Sequence, residues 1–276
     1  MNAANAPAVK PAAALRTVTP DVAIRWLENA NPNNRAVSDA HVARLARDMS
    51  EGRWILTHEG IAFDPQGRLL DGQHRLWAVI ESNQPVEMHV FFNLTPEALM
   101  VINTGKPRSL ADVLRISGSG AGCREVSVLR AMLGGLKGPA ALSGPEAAER
   151  LKVHHCAIDF ALSVLPRAWH ISDAITRAVM ARAYYSADRN RLAEFGRMMT
   201  SGVVPQADCT SVILLRQYLQ ANAGWTWSER RERYAKTERA LASYLKGQTI
   251  VKLYAATQEC FPLPEEGKEG HGTHRK

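Results

Sequence analysis

The sequence predicts an α+β protein in which a small mixed sheet with helices is followed by an all-helical domain. The N-terminal part alternates between strand-like and helical apolar patterns, whereas only helical patterns occur from Ser109 onward. A stretch rich in glycine and serine, residues 117–122, separates the two parts. Apolar residues make up 46% and charged residues 22% of the 276 residues, which is typical of a globular chain with a buried core.

Two amphipathic helices are expected before the first strand. Thr19 and Pro20 begin the first, since threonine is a frequent cap and proline is tolerated at the first helical position. This helix ends at the asparagine-rich stretch 29–34. Ser38 caps the second helix, which Gly52 ends. The buried stripe of the second helix has helical spacing and consists of Val42, Leu45, Ala46 and Met49.

A hairpin and one further strand are expected next. Residues 60–63 and 68–70 form the hairpin, because residues 64–67 have the turn sequence Asp-Pro-Gln-Gly. The Asp-Gly pair at residues 71–72 ends the second strand, and a helix follows. Residues 86–92 alternate between apolar and polar side chains, which predicts a half-buried strand.

The chain is expected to divide into four segments. Residues 1–16 are rich in alanine and proline and are predicted to be a flexible arm, and residues 17–115 to be the α+β domain. Residues 123–260 form the helical domain, and residues 261–276 a disordered tail. The later helices are predicted at residues 146–165, 172–185, 189–199, 207–222 and 228–245.

Charge and cysteine usage limit the class of protein. A net charge of +7 favours polyanionic partners such as DNA or nucleotides, although the excess is spread along the chain. No apolar run reaches the roughly 18 residues that span a bilayer, so no membrane partner is expected. The cysteines form no Cys-x-x-Cys pair, which argues against a zinc site or a disulfide framework and favours a reducing, cytoplasmic location. These cysteines are Cys123, Cys156, Cys209 and Cys260.

Residues 71–75, Asp-Gly-Gln-His-Arg, are the main candidate site. The first N–H groups of a helix have no internal partners and favour an anion, and Gly72 lets a phosphate approach the backbone closely. His74 and Arg75 lie off the predicted buried stripe and are expected to reach the same anion. Asp71 could orient His74, hold a divalent ion or cap the helix. The alternative is an ordinary Asp-Gly turn, in which Asp71 caps the helix and the exposed His74 and Arg75 have no function. The stripe consists of Leu76, Val79 and Ile80.

The sequence Asp-Gly-Gln-His-Arg-Leu-Trp-Ala at residues 71–78 resembles the signature turn of the ParB/sulfiredoxin superfamily. ParB proteins have Gly-Glu-Arg-Arg and sulfiredoxins Gly-Cys-His-Arg at this turn. The order of the preceding helix, residues 57–61 and the hairpin agrees, and residues 103–109 resemble a ParB-like subgroup of phages, plasmids and actinobacteria. The resemblance covers about residues 17–115.

The resemblance implies a small mixed sheet with a phosphate or nucleotide pocket formed by Gly72, Gln73, His74 and Arg75. ParB proteins bind and hydrolyse CTP while clamping DNA, sulfiredoxins use ATP to repair an oxidised cysteine, and a serine kinase and some nucleases share the fold. The implied cofactor is therefore ATP or CTP with Mg²⁺. Gln73 stands where sulfiredoxins have cysteine, which argues against cysteine repair, and His74 replaces the first of the paired ParB arginines.

Three carboxylate or imidazole side chains are candidates for catalysis: Glu59, Asp71 and His74. Glu59 precedes the first hairpin strand and is a candidate base or metal ligand together with Asp71, as the kinase branch would need. A solvated glutamate is the alternative for Glu59. Asn34 and Arg35 are candidates for the pocket rim, although an arginine there is equally a surface ion-pair former. A second set of phosphate contacts, or else a plain basic loop, is Thr104, Lys106 and Arg108.

The helical part contains many arginines. Arg230, Arg231 and Arg233 alternate with glutamates, so a solvated, ion-paired face is preferred over a DNA-binding stripe. Residues 172–199 are compatible with a helix-turn-helix or with a helical hairpin. The other arginines of the predicted helices are Arg177, Arg182, Arg189, Arg191 and Arg197.

The sequence leaves three functions open. The first is a ParB-like, nucleotide-binding and DNA-associated protein, possible as a homodimer, with phosphates held at residues 71–75. The second is an enzyme of the same fold, a magnesium-dependent phosphotransferase or nuclease, or a nucleoside triphosphatase. The third is a non-catalytic interaction module.

Overall fold

The computed structural model describes residues 10–28, 36–95, 97–98, 102, 108–118, 121–205, 209–222 and 226–264. The chain forms two compact units, Met1–Arg108 and Ser109–Lys276. The helix at Leu110–Ile116 therefore belongs to the second unit. The sequence prediction placed most of this helix in the first domain, because it put the end of that domain at residue 115.

The first unit contains a four-stranded mixed sheet, as expected. Its strands are β1 (Ala12–Val18), β2 (Ile61–Phe63), β3 (Leu69–Asp71) and β4 (Val86–Phe92). They lie in the order β1-β4-β2-β3, with β2 parallel to β4 and the other two pairs antiparallel. The prediction of a flexible arm through residue 16 is wrong from Ala12 onward, because that segment pairs along the whole of β4.

The same unit contains three helices: α1 (Pro20–Glu28), α2 (Asp39–Ser50) and α3 (Gln73–Ser82). Ser38 is the N-cap of α2 as predicted, but its side chain makes no capping hydrogen bond. The helices α1 and α2 both pack against α3. The core of the unit includes Ile61, Leu69, Leu76, Val79, Met88 and Val90.

All the regular elements in the described residues of the second unit are helices, as expected. The helix α7 (Ala174–Ala183) is buried over most of its length and packs on α5 (Cys123–Gly134), α6 (Gly144–Val164) and α10 (Trp227–Leu245). The remaining helices are α4 (Leu110–Ile116), α8 (Arg189–Ser201) and α9 (Thr210–Ala221). Phe261 is buried against this unit, so the predicted tail does not begin at residue 261.

Three arginines of the helical unit are buried, and one of them, Arg233, was expected on a solvated face. Arg177 donates to the carbonyl oxygen of Leu165 at 2.9 Å, and Arg182 donates to that of Phe261 at 2.7 Å. Arg233 is likewise buried and donates to backbone carbonyls. Their guanidinium groups donate to carbonyl oxygens at helix ends and in loops, which a local charge pattern does not reveal.

None of the helices in the described part of the chain is long and apolar enough to cross a membrane. All four cysteines are free thiols.

Candidate functional site

The turn after β3 forms around Gly72, the residue that precedes α3. Its φ of 103° lies in the left-handed region, which glycine adopts at little cost. A β-carbon added at Gly72 would lie 2.5 Å from Ile61 Cδ1 and 3.2 Å from the Gly60 carbonyl oxygen. The turn therefore needs glycine because of its own backbone and its packing on β2, whether or not a phosphate approaches.

Replacing Gly72 with alanine is expected to lower the free energy of unfolding of the first unit by about 2–4 kcal/mol, because backbone strain and the contact with Ile61 add. Gly67→Ala is the matched control, since Gly67 has φ 77° but no heavy atom within 4 Å of an added β-carbon. Urea unfolding of both variants measures the difference. Equal losses would show that packing on Ile61 contributes nothing.

The guanidinium of Arg75 lies beside this turn and contacts three neighbouring groups. Its Nε and Nη2 donate to the carbonyl oxygen of Gly60 at 3.1 and 2.7 Å. Its Nη2 also lies 3.1 Å from Asp71 Oδ2, and its Nη1 lies 3.4 Å from Glu59 Oε2. Only 16% of the Arg75 side chain is exposed. Arg75 therefore joins the start of α3 to the loop before β2.

Glu59 and Asp71 place two carboxylates around this one guanidinium. A phosphate that approaches Arg75 without a counterion meets both negative charges, and this repulsion opposes binding of the bare anion. The Glu59 side chain is 61% exposed, so solvent screens its ion pair with Arg75. Breaking this ion pair therefore costs little free energy. Binding of a phosphate at this turn therefore requires that the negative charge of Glu59 and Asp71 be neutralised.

The same two carboxylates suit a magnesium ion that arrives with a nucleotide. Mg²⁺ is usually held by one or two carboxylates together with phosphate oxygens and water. Across the described ranges, no three His, Cys, Asp or Glu side chains are grouped so that they could hold a metal ion. Within the described residues, Glu59 and Asp71 therefore do not form a protein cage for a metal ion by themselves.

The imidazole of His74 packs against α2. It is buried, and its Nε2 accepts a hydrogen bond from the backbone N–H of Ser38 at 3.1 Å. The His41 ring meets it edge-on, with ring centroids 5.1 Å apart. Its ring therefore lies against the start of α2, and the predicted roles of His74 in anion binding and catalysis stay predictions.

The remaining predicted residues differ in their position. Gln73 is the first residue of α3 and lies half-buried at the turn. Arg108 is exposed at the end of the first unit. The other candidates, which lie outside the described residues, are Asn34, Arg35, Thr104 and Lys106.

Two parts of this site were missed by the sequence prediction. The Gly60 carbonyl accepts two hydrogen bonds from Arg75, but a backbone acceptor leaves no sequence signal. A β-carbon at Gly60 would lie 1.9 Å from the His89 carbonyl oxygen, so this loop packs directly on β4. The contact between Ser38 and His74 depends on tertiary packing of two helices, which local periodicity does not predict.

Comparison of the chain with protein-family models, with curated proteins and with solved structures found no match. The resemblance to the ParB/sulfiredoxin superfamily therefore stays a prediction. It rests on the turn motif and on the order of the elements around it.

Proposed function

We propose that the first unit binds the phosphates of a nucleoside triphosphate, ATP or CTP, together with Mg²⁺ at residues 71–75. The observation that carries this proposal is the position of Arg75 between Glu59 and Asp71 at the start of α3. The two carboxylates supply ligands for Mg²⁺, which offsets their charge, and Arg75 then offers its planar donor fork to phosphate oxygens.

The backbone at this position supports the same proposal. The helix α3 spans ten residues and begins directly after Gly72, so its dipole favours negative charge at the turn. Asp71 is the last residue of β3, which puts the turn at the end of a strand. A strand that leads through a glycine into a helix is a frequent setting for phosphate groups.

An association with DNA and a cytoplasmic location belong to this proposal. The net charge of +7 and the resemblance to ParB proteins support a polyanionic partner. Four free cysteines suit a reducing compartment. DNA binding of this kind is expected to weaken steeply as salt concentration rises, because counterions are released on binding. A homodimer, in which the helical unit would bind a second subunit, would be found by analytical ultracentrifugation.

A magnesium-dependent phosphotransferase or nuclease is the second candidate function. Its supporting observation is the exposure of Glu59, whose carboxylate lies at the mouth of the turn with only a 3.4 Å contact to Arg75. A base in that position would accept a proton from the attacking group. Glu59→Gln would then abolish turnover while nucleotide binding persists, whereas a binding protein would have no turnover to lose.

Nucleotide binding is expected to depend on Arg75. Titration calorimetry with ATP, CTP and GTP, each with Mg²⁺, should give saturable binding to the wild type that falls at least about tenfold in Arg75→Ala. Arg75→Lys keeps the charge and loses the donor fork, so an intermediate affinity is expected. The matched control is Arg25→Ala, which removes an exposed arginine of α1 and should leave binding unchanged.

Circular dichroism separates loss of binding from loss of fold, because Arg75 also holds the loop before β2. Binding that is equal in the wild type and a folded Arg75→Ala variant would contradict the proposal. Lack of binding to all three nucleotides would favour a non-catalytic interaction module.

A further inference from the structure

The helical unit contains a cavity of about 460 Å³ between α5, the turn before α7 and the start of α10. Sites for small organic ligands generally have volumes of roughly 300–1,000 Å³. The cavity lies in the second unit and shares no residue with the candidate phosphate site. Its aromatic and charged lining residues are Arg130, Trp169, His170, Asp173, Arg230 and Arg233.

Trp169 presents an indole ring at the rim of this cavity. The residue is 81% exposed, although tryptophan has one of the largest apolar surfaces available for burial. The His170 ring meets it at an angle of 80°, with ring centroids 4.9 Å apart. Because most of the indole stays exposed, one of its faces is open to a planar ligand.

The turn that carries Trp169 is held from beneath by a buried arginine. His170 has φ 59°, in the left-handed region that residues other than glycine seldom adopt. Arg233 donates to the His170 carbonyl oxygen and forms an ion pair with Asp173 Oδ2 at 2.6 Å. Strained backbone of this kind clusters at ligand sites, where the surrounding structure holds it. The exposed position of Trp169 is therefore a built feature of the fold.

Arg130 and Arg230 supply positive charge at the same cavity. The Nε of Arg130 donates to the carbonyl oxygen of Ala140 at 2.9 Å, and within the described part of the chain its two terminal nitrogens make no hydrogen bond. The charge of Arg233, in contrast, is offset by Asp173. The Asp173 side chain also caps α7, so the backbone N–H groups of Ile175 and Thr176 already have an acceptor. Arg130 therefore offers its terminal nitrogens to an anion, and Arg230 adds positive charge at the lining of the same cavity.

We propose that this cavity binds a nucleotide unit, with its base stacked on Trp169 and its phosphate held by Arg130 and Arg230. A base has a planar face that matches the indole, and stacking of this kind changes affinity about 5- to 150-fold. The guanidinium fork matches phosphate oxygens. A free nucleotide and one residue of a single strand share this chemistry. This proposal does not rest on nucleotide binding by the first unit.

Fluorescence titration of the full chain with AMP, and then with a single-stranded oligonucleotide of about eight nucleotides, tests this site. Trp169→Ala is expected to weaken binding at least about tenfold, whereas Trp169→Phe keeps an aromatic face and most of the affinity. Arg130→Gln is expected to weaken binding about fivefold and to reduce its salt dependence. The matched control is Arg167→Gln, which removes an exposed arginine of the same loop that does not line the cavity.

The outcomes also separate the two sources of the ligand. Binding of AMP would support a free nucleotide, and binding of the oligonucleotide alone would support a single strand. The proposal would be overturned if neither AMP nor the oligonucleotide bound, or if the wild type and Trp169→Ala had equal affinity. Competition by inorganic phosphate as strong as that by AMP would overturn the stacking role of Trp169. Arg75→Ala should leave these titrations unchanged, which separates this site from that of the first unit.

Discussion

Replacing Arg233 with methionine is expected to lower the free energy of unfolding of the helical unit by about 3–5 kcal/mol. Arg233 is 2% exposed, and its guanidinium binds three groups that belong to two segments of the chain. It pairs with Asp173 at 2.6 Å, donates to the Asn222 carbonyl oxygen at 2.9 Å and donates to the His170 carbonyl oxygen. Methionine fills much of the space but leaves these acceptors without their common partner, and an unpaired buried polar group is destabilising.

Arg231→Met is the control for this prediction. Arg231 lies two positions earlier on the same helix, is exposed, and has its guanidinium 5.8 Å from the centroid of the Trp227 ring. Its replacement should change the free energy of unfolding by no more than about 1 kcal/mol. Urea unfolding measures both variants, and a comparable loss in the two would contradict the structural role of Arg233.

Glu238→Gln is expected to become more stable relative to the wild type by about 2 kcal/mol as the pH rises from 5 to 8. Glu238 is fully buried on α10, and its Oε2 accepts a hydrogen bond from the backbone N–H of Cys260 at 2.9 Å. Burial, together with the negative charge of Glu259, raises the pKa of Glu238 to about 7. The glutamine side chain keeps an acceptor for Cys260 and carries no charge.

The sign follows from proton binding in the two states. Glu238 loses its proton near pH 4.5 in the unfolded chain, whereas in the folded chain its pKa is about 7. Between these values the folded state holds a proton that the unfolded state has lost. The contribution of Glu238 to stability therefore falls as the pH rises through this window, and it reaches its lowest value above pH 7.

The contribution of His154 to stability changes with pH in the opposite direction. The wild type and Glu238→Gln must therefore be compared with each other at each pH. Burial, with the charge of Arg150, lowers the pKa of His154 from 6.5 to about 4, and its ring contacts the Tyr185 hydroxyl at 2.7 Å. The stability that His154 provides is present above pH 6.5 and is lost as the pH falls towards 4. Thermal unfolding of the wild type and Glu238→Gln from pH 5 to 8 removes this common background. A difference that stays constant across the range would contradict the buried charge of Glu238.

The elements with strong local signals were predicted closely. The strand β4 was predicted at its observed bounds, because alternating side chains marked one buried face. The turn of the hairpin was predicted from its Asp-Pro-Gln-Gly sequence. The strand β1 was missed, because six of its seven residues are exposed or half-buried and its pairing with β4 defines it. An edge strand of that kind carries little periodicity for a sequence pattern to reveal.

The candidate site was predicted in part. Local sequence placed Asp71, Gly72 and Arg75 at one turn, because a strand break and a helix start are local events. It could not predict that the Arg75 guanidinium lies against Glu59 and the Gly60 carbonyl oxygen, which are distant in sequence. The buried arginines of the helical unit were missed for the same reason, since their acceptors are carbonyl groups of other segments.

The charge arrangement around Arg75 also predicts how nucleotide binding should depend on magnesium. Glu59 and Asp71 oppose a bare triphosphate, so the wild type is expected to bind it weakly without Mg²⁺ and at least about tenfold more tightly with it. Glu59→Gln removes one carboxylate. We expect this variant to bind the metal-free triphosphate more tightly than the wild type does, and to gain less when Mg²⁺ is added.

Calorimetric titration of the wild type and Glu59→Gln with ATP and CTP, each with and without Mg²⁺, is the most direct test of the central claim. The account predicts magnesium-dependent binding to the wild type and a smaller dependence in the variant. Binding to the wild type that is unaffected by Mg²⁺, or lack of binding to both triphosphates in its presence, would contradict a phosphate site at residues 71–75.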